Sequence, residues 1–298
     1  MDAYSKSKLQ NKQDAFSAMY MNLCRSILEL CGRRAGEGVI REAVRRAGAD
    51  SGRAWLEELR RANIPTNLHH LYHSASTDPR VRGKQLVDAE DRQVWEIYTC
   101  PLADYWRQHR CEKLGSFYCE EYQRARAAAF TEGAGQLNLS KKLTRPEDNF
   151  CCFAAFFREA NLPAERAKEA FARQSGGAPP AAVSFDERIR SMTVAVYCRL
   201  YETAEERFRQ EGLCAVAQGL GVWEAEALEA LRQKAVRTLQ PLDGAFLREN
   251  FPLSAGAQPD SEWEKYDLPE AKLLMQRVVL TPLAAACMGE EAEHNGAL

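Results

Sequence analysis

The sequence predicts an α+β fold: a helix-rich chain with a small antiparallel sheet and flanking helices, followed by a second, mostly helical unit. Three observations carry this. Long stretches repeat apolar residues at three- and four-residue spacing, which marks amphipathic helices. Between Val94 and Phe157 that period gives way to short β-branched and aromatic runs. Beyond a Gly/Pro/Ala-rich stretch the helical period returns and echoes the first part, a partial internal duplication.

Taken in order, Asp14 to Cys31 sets Phe16, Met19, Tyr20, Leu23, Ile27 and Leu30 on one helix face. Gly32, Gly36 and Gly38 punctuate the next few residues. The spacing predicts one helix over 38–47 and another over 51–62, with Ser51 as N-cap and Pro65 near the end. Residues 66–91 are polar and read as irregular. Val94 to Thr99 reads as a strand, and Pro101 suits the first position of a helix after Cys100. A helix is predicted over 112–130. Leu137, Leu139 and Leu143 alternate with polar residues, which suggests a half-buried strand. Phe150 to Phe157 is apolar on both alternating faces and reads as a central strand, a buried helix being the alternative. A short helix over 162–174 precedes the linker. Helices are predicted again over 186–211, 223–239 and 268–288.

These elements divide the chain into residues 1–174, a helical unit plus a cysteine-bearing strand-and-helix domain; a linker at 175–184; and residues 185–298, a second, truncated helical copy. The duplication rests on ordered matches. Tyr20 and Leu23 correspond to Tyr197 and Leu200. Leu56-Glu57-x-Leu59-Arg60 corresponds to Leu228-Glu229-x-Leu231-Arg232. Cys100-Pro101-Leu102-Ala103 corresponds to Thr281-Pro282-Leu283-Ala284.

Composition narrows the function. The chain has 298 residues, 45% of them hydrophobic, enough for a proper core. Lys plus Arg is 40 against 42 Asp plus Glu, so no basic footprint for nucleic acid exists. Basic pairs such as Arg45-Arg46 and Arg60-Arg61 sit beside Glu at helical spacing, as on a solvated face. No apolar run is long enough to span a membrane. Residues 1–13 are polar and lysine-bearing, without a signal-peptide core. Ten cysteines in that context are expected as reduced thiols in the cytoplasm. The expected partner is a small-molecule substrate, not nucleic acid or membrane, and a homodimer is left open.

Three cysteines stand out. Cys100 ends a strand at a helix N-cap, where unpaired backbone N–H groups and the helix dipole stabilise a thiolate. Cys119 lies mid-helix, with Gly115 at i−4 to leave space beside the sulfur, and with Tyr122 and Arg126 at i+3 and i+7. Arg126 could lower the thiol's pKa or hold a substrate carboxylate. Tyr118 and Tyr122 are further candidate substrate contacts. Cys151 is in phase with Phe153, Ala155 and Phe157. Glu120 and Glu121 flank Cys119 and are candidate general bases. Against this stands the reading of all three cysteines as core, since free Cys is among the most buried residue types and no C-x-x-C pair is present. Thr281 stands in the place of Cys100 in the second copy, so the shared fold does not need that thiol. Elsewhere, His69 and His73 are four apart, which on a helix would present two metal ligands on one face; the polar surroundings favour surface histidines.

The segment from Val94 to Phe157, with Cys100-Pro101-Leu102-Ala103, Leu114-Gly115-Ser116-Phe117-Tyr118-Cys119 and Asp148-Asn149-Phe150-Cys151-Cys152-Phe153, resembles the L-2-amino-thiazoline-4-carboxylic acid hydrolase family. The pattern departs from that family at Tyr122 and Glu147. The resemblance covers roughly the first 160 residues. It implies hydrolytic opening of a small cyclic amidine- or thiazoline-type ring at a Cys-centred site, by water adding at the carbon between sulfur and nitrogen. Two mechanisms fit. Cys100 or Cys119 attacks as a thiolate while Glu120 or Glu121 moves protons, or Cys100, Cys119 and Cys151 hold zinc, whose water attacks. The same region is similar to vinyl-reductase-type ligand-binding domains, which implies the alternative of a non-enzymatic sensory module.

Overall fold

In a computed structural model the described residues are 12–74, 76–171, 181–253 and 261–287. Most of the expected linker lies outside them. The contacts define two units, one formed by residues 1–40 and 189–298 and the other by 41–188. These limits differ from the linear division at 175–184, and both fall inside continuous helices: α2 (Arg33–Arg61) and α7 (Phe185–Phe208).

The first unit is helical. It contains α1 (Lys12–Leu30), the start of α2, most of α7, α8 (Gln210–Thr238), α9 (Gly244–Asn250), α10 (Ser261–Glu264) and α11 (Pro269–Met275). The face expected of α1 is buried, including Phe16, Met19, Tyr20, Leu23 and Ile27. It packs on α8 at Gly219, where an added Cβ would come within 2.8 Å of Leu23 Cα. Trp223 stacks on Phe251 at 5.0 Å, and the buried Tyr197 hydroxyl donates to Ala271 O at 2.7 Å. The duplication match at the proline does not extend to backbone geometry. Cys100 is extended (φ −134°, ψ 112°), whereas Thr281 is helical (φ −68°, ψ −46°). Among the described residues no helix is long and apolar enough to cross a membrane.

The second unit is the α+β part. It holds the rest of α2, then α3 (Leu68–Tyr72), β1 (Arg82–Asp88), β2 (Arg92–Thr99), α4 (Pro101–Gln108), α5 (Glu112–Phe130), β3 (Gln136–Lys141), β4 (Cys151–Phe156) and α6 (Ala164–Phe171). The sheet is antiparallel, in the order β1-β2-β4-β3. As predicted, β4 is central. Its alternation puts Cys151, Phe153 and Ala155 inward, opposite Ile97, Trp95 and Gln93 of β2. Trp95 stacks on Phe153 at 4.9 Å. This face joins Leu56, Leu59, Leu71, Ala127 and Phe130 in one core, against which Cys100 and Cys119 pack.

Two expectations need correction. Residues 66–91 are not irregular throughout, since they contain α3 and β1. The latter is an exposed edge strand carrying Arg82 and Lys84, so it lacks the apolar alternation that announces a strand. The helices expected over 38–47 and 51–62 are one helix, and Ser51 is interior to it rather than a cap. Two glycines inside this helix, Gly48 and Gly52, are contact points. A Cβ on Gly48 would lie 2.3 Å from Tyr122 O, and one on Gly52 2.3 Å from Arg126 O. The backbones of α2 and α5 therefore approach more closely than any side chain allows.

Gly48→Ala gives this a sign test. In an ordinary helix interior that change stabilises by ~1 kcal/mol. Here it should destabilise by about 1–3 kcal/mol, as overpacking does, in urea unfolding monitored by circular dichroism. A neutral or stabilised variant would contradict the close crossing.

Candidate active site

The three cysteines singled out in the sequence come from three elements and meet at one end of the α+β core. Cys100 is the N-cap of α4, where Pro101 starts the helix and leaves Cys100 extended. Cys119 lies on α5, and Cys151 begins β4. Cys119 is within electrostatic reach of Cys100 and Cys151, and Cys151 of Cys100. Cys100 and Cys119 keep part of their surface accessible, while Cys151 is buried.

Their protonation differs from the sequence expectation. Burial pushes the Cys119 thiol well up, and the neighbouring Cys100 and Cys151 add to this against the nearby Lys142 ammonium. Cys151 is pushed up to about 11 by burial, although Leu143 N–H donates to its sulfur at 3.2 Å. Burial also raises the Cys100 thiol. It outweighs the N–H groups of Ala103 and Leu102 at the N-cap, which do favour the thiolate. All three groups rest as neutral thiols. Nor do the three sulfurs all lie within 4.8 Å of one another, so as arranged they do not fit a shared zinc ion. The space expected beside Gly115 is taken by the Trp106 indole, which a Cβ there would meet at 2.4 Å.

Glu120 and Glu121 do not stand free as bases. Glu120 accepts from Arg41 Nη1 at 3.0 Å and pairs with the buried Lys142 ammonium. Burial alone would raise its carboxyl, but Lys142 and Arg41 prevail and hold it below its ordinary value. Glu121 accepts from Arg41 Nη1 at 2.9 Å and from Arg45 Nη2 at 3.1 Å. Glu120 thus fixes Lys142 beside the thiols. Asp148 fixes the same turn by accepting from Lys142 N–H at 2.8 Å.

Arg126 has no acid partner among the described residues. Its Nη2 donates to Ser74 Oγ at 2.6 Å and to Leu71 O at 3.1 Å, both beside α3. Its Nε is sealed from solvent without a hydrogen-bond partner, and so is the Tyr72 hydroxyl. Desolvation lowers the guanidinium's pKa, against the pull of Tyr122, Tyr72 and Tyr118. Tyr118 and Tyr122 stack with centroids 5.2 Å apart. A second guanidinium, Arg188, acts on Cys100, Tyr118 and Arg126 alike. The chain returns it there because Val183 exchanges backbone hydrogen bonds with Ser74 and Ser76, and Arg188 Nη1 then donates to Ser76 O at 3.1 Å. Ser184 and Glu187 form a capping box that starts α7 at this point. Sequence reasoning found Arg126 by its spacing from Cys119. It missed Arg188, Lys142 and Tyr72; the capping box Ser184-x-x-Glu187 was the one local signal near any of them.

Arg126 is thus a desolvated guanidinium without a carboxylate, near Arg188 and the unpaired Tyr72 hydroxyl. It lies two helical turns from Cys119 on the same helix. Residues 9–156 match the family model for L-2-amino-thiazoline-4-carboxylic acid hydrolase. The resemblance runs from residue 9 through the last residue of β4, so Cys100, Cys119, Arg126 and Cys151 all lie within the match while Arg188 does not. The match supports a hydrolase-like function. No curated protein and no solved structure matches significantly.

Neutral, crowded thiols should resist alkylation. With iodoacetamide at pH 7, the exposed Cys214 is expected to label first, and Cys151 only as the pH is raised toward about 11. Peptide mass spectrometry resolves the sites, and Cys151 labelling as fast as Cys214 at pH 7 would overturn the protonation assignment.

Proposed function

We propose that the protein is a hydrolase that opens a small cyclic amidine- or thiazoline-type ring bearing a carboxylate, of the 2-aminothiazoline-4-carboxylate kind. The observation that carries this is Arg126, a desolvated guanidinium with Nε unpaired and no acid partner among the described residues. A buried unpaired charge is strongly unfavourable, so the site is completed by an anionic ligand. The family match supports the ring chemistry.

Cys100 is the best-placed nucleophile. Alone of the three it has both a helix N-terminus and Arg188 favouring its thiolate. With the substrate carboxylate on Arg126, the Cys100 sulfur bonds to the carbon between ring sulfur and nitrogen, and its proton passes to the ring nitrogen. The bond from that carbon to the ring sulfur then breaks, and the departing sulfur takes up the proton. Water adds to the resulting isothiourea carbon and expels Cys100, which recovers a proton, leaving an N-carbamoyl cysteine. Overall one water is consumed and one thiol appears in the product. Lys142, held by Glu120, keeps positive charge beside Cys119 and Cys151 throughout.

The resting neutrality of the three thiols favours one second reading, a binding module that holds such an anion without turning it over.

Turnover of 2-aminothiazoline-4-carboxylate, followed by release of product thiol, tests both. Arg126→Met should raise KM about 30-fold or more, the loss expected when one partner of a buried charge pair is truncated. Its melting temperature should not fall, because the free protein loses an uncompensated charge. Cys100→Ser should abolish turnover and retain binding. An Arg126→Met enzyme with unchanged KM would remove the anion receptor. Full turnover by Cys100→Ser would remove the nucleophile, and wild-type binding without turnover would select the module.

A further inference from the structure

α3 carries a second group of side chains that the hydrolytic reading does not use. His69 and His73 are one helical turn apart, with ring centroids separated by 4.4 Å. Both imidazoles address the same carboxylate at the end of β1. His69 Nδ1 is 2.8 Å from Asp88 Oδ1, and His73 Nε2 is 3.2 Å from Asp88 Oδ2. One donor atom from each residue falls within 4.8 Å of the other two, and among the described residues no other trio of His, Cys, Asp or Glu does so.

Behind this trio the protein has built support. Gln93 of β2 is fully buried, and its Nε2 donates to Asp88 Oδ1 at 2.6 Å and to Ala89 O at 2.8 Å. Its Oε1 in turn accepts from Gln85 Nε2 at 2.7 Å. A buried amide that fixes a carboxylate's orientation is the outer shell found behind metal ligands. A solvated surface ion pair has no need of one.

We propose that His69, His73 and Asp88 bind one divalent transition-metal ion of the zinc class, with water completing the coordination. Two imidazoles and a carboxylate suit zinc and its neighbours, whereas calcium and magnesium take oxygen ligands throughout. The ion takes the place of the protons that the imidazoles share with Asp88, so uptake releases protons. The ligands keep side-chain exposures of 44%, 52% and 35%, which leaves the ion an entry path. Its effect follows from where α3 lies. This helix has only five residues, and a helix that short is not stable by itself. The ion ties its end to β1. The same helix and the residues after it present Leu71 O, Tyr72 and Ser74 to Arg126. The metal is therefore a clip that sets the wall of the anion receptor, separate from the thiol chemistry.

Cobalt(II) titration of the full, reduced chain is the test, because cobalt reports its ligands. One cobalt per chain should bind with d–d absorption and no sulfur-to-cobalt charge-transfer band. His73→Ala and Asp88→Asn should each weaken binding at least about tenfold, while Cys119→Ala leaves it unchanged. Zinc should raise the melting temperature of the wild type but not of His73→Ala. Absence of cobalt uptake would overturn the proposal. So would uptake that shows the sulfur band and survives in His73→Ala, since the thiols would then be the ligands.

Discussion

The close crossing of α2 and α5 sets the geometry on which the site depends. At Gly48 and Gly52 the α2 backbone lies against the carbonyls of Tyr122 and Arg126, leaving no room for a side chain. Two glycines in a helix interior cost about 2 kcal/mol of propensity, and packing of α2 on the α+β core offsets it. The crossing brings Arg41 and Arg45 of α2 onto Glu120 and Glu121 of α5. It also presses the opposite turns of α5 toward the sheet, so that Cys119 meets the elements bearing Cys100 and Cys151. Any side chain at these two positions would shift α5 and move Cys119 and Arg126 together.

Charge is distributed unevenly around the cysteines. Glu120 and Glu121 of α5 are consumed by arginines of α2 and by Lys142, and Arg126, among the described residues, has no acid partner on the side of the tyrosines. A structure optimised for stability alone would pair or remove it. The same burial that leaves Arg126 unsatisfied keeps the thiols neutral.

Much of the fold was legible because it rests on period. Leu23 and Ile27 recur at helical spacing on α1, and Cys151, Phe153 and Ala155 at strand spacing on β4. What failed was local punctuation. Ser51 looks like a cap, yet one helix runs through it, with Gly48 and Gly52 set against the α5 backbone. Strand β1 escaped notice because an edge strand facing water has no apolar face to announce it. In the site, Cys100, Cys119, Arg126 and Cys151 could be singled out by cap position and by helix and strand phase. Arg188 could not, being 62 residues beyond Arg126 and returned to it by the Val183 bridge.

The sequence by itself determined the α+β class, the central place of β4, the cysteine pattern and the one-turn spacing of His69 and His73. These depend on periods of two and of 3.6 residues, which neighbours along the chain define. Tertiary structure alone decided protonation, pairing and convergence. Whether Cys100 rests as thiol or thiolate depends on desolvation by α5 and β4. Whether Glu120 is a base or a counter-ion depends on Lys142 and Arg41. Whether two histidines share a ligand depends on Asp88 at the end of a strand the sequence did not announce. Each of these is a through-space effect between residues that local pattern does not connect, and so each had to wait for the fold.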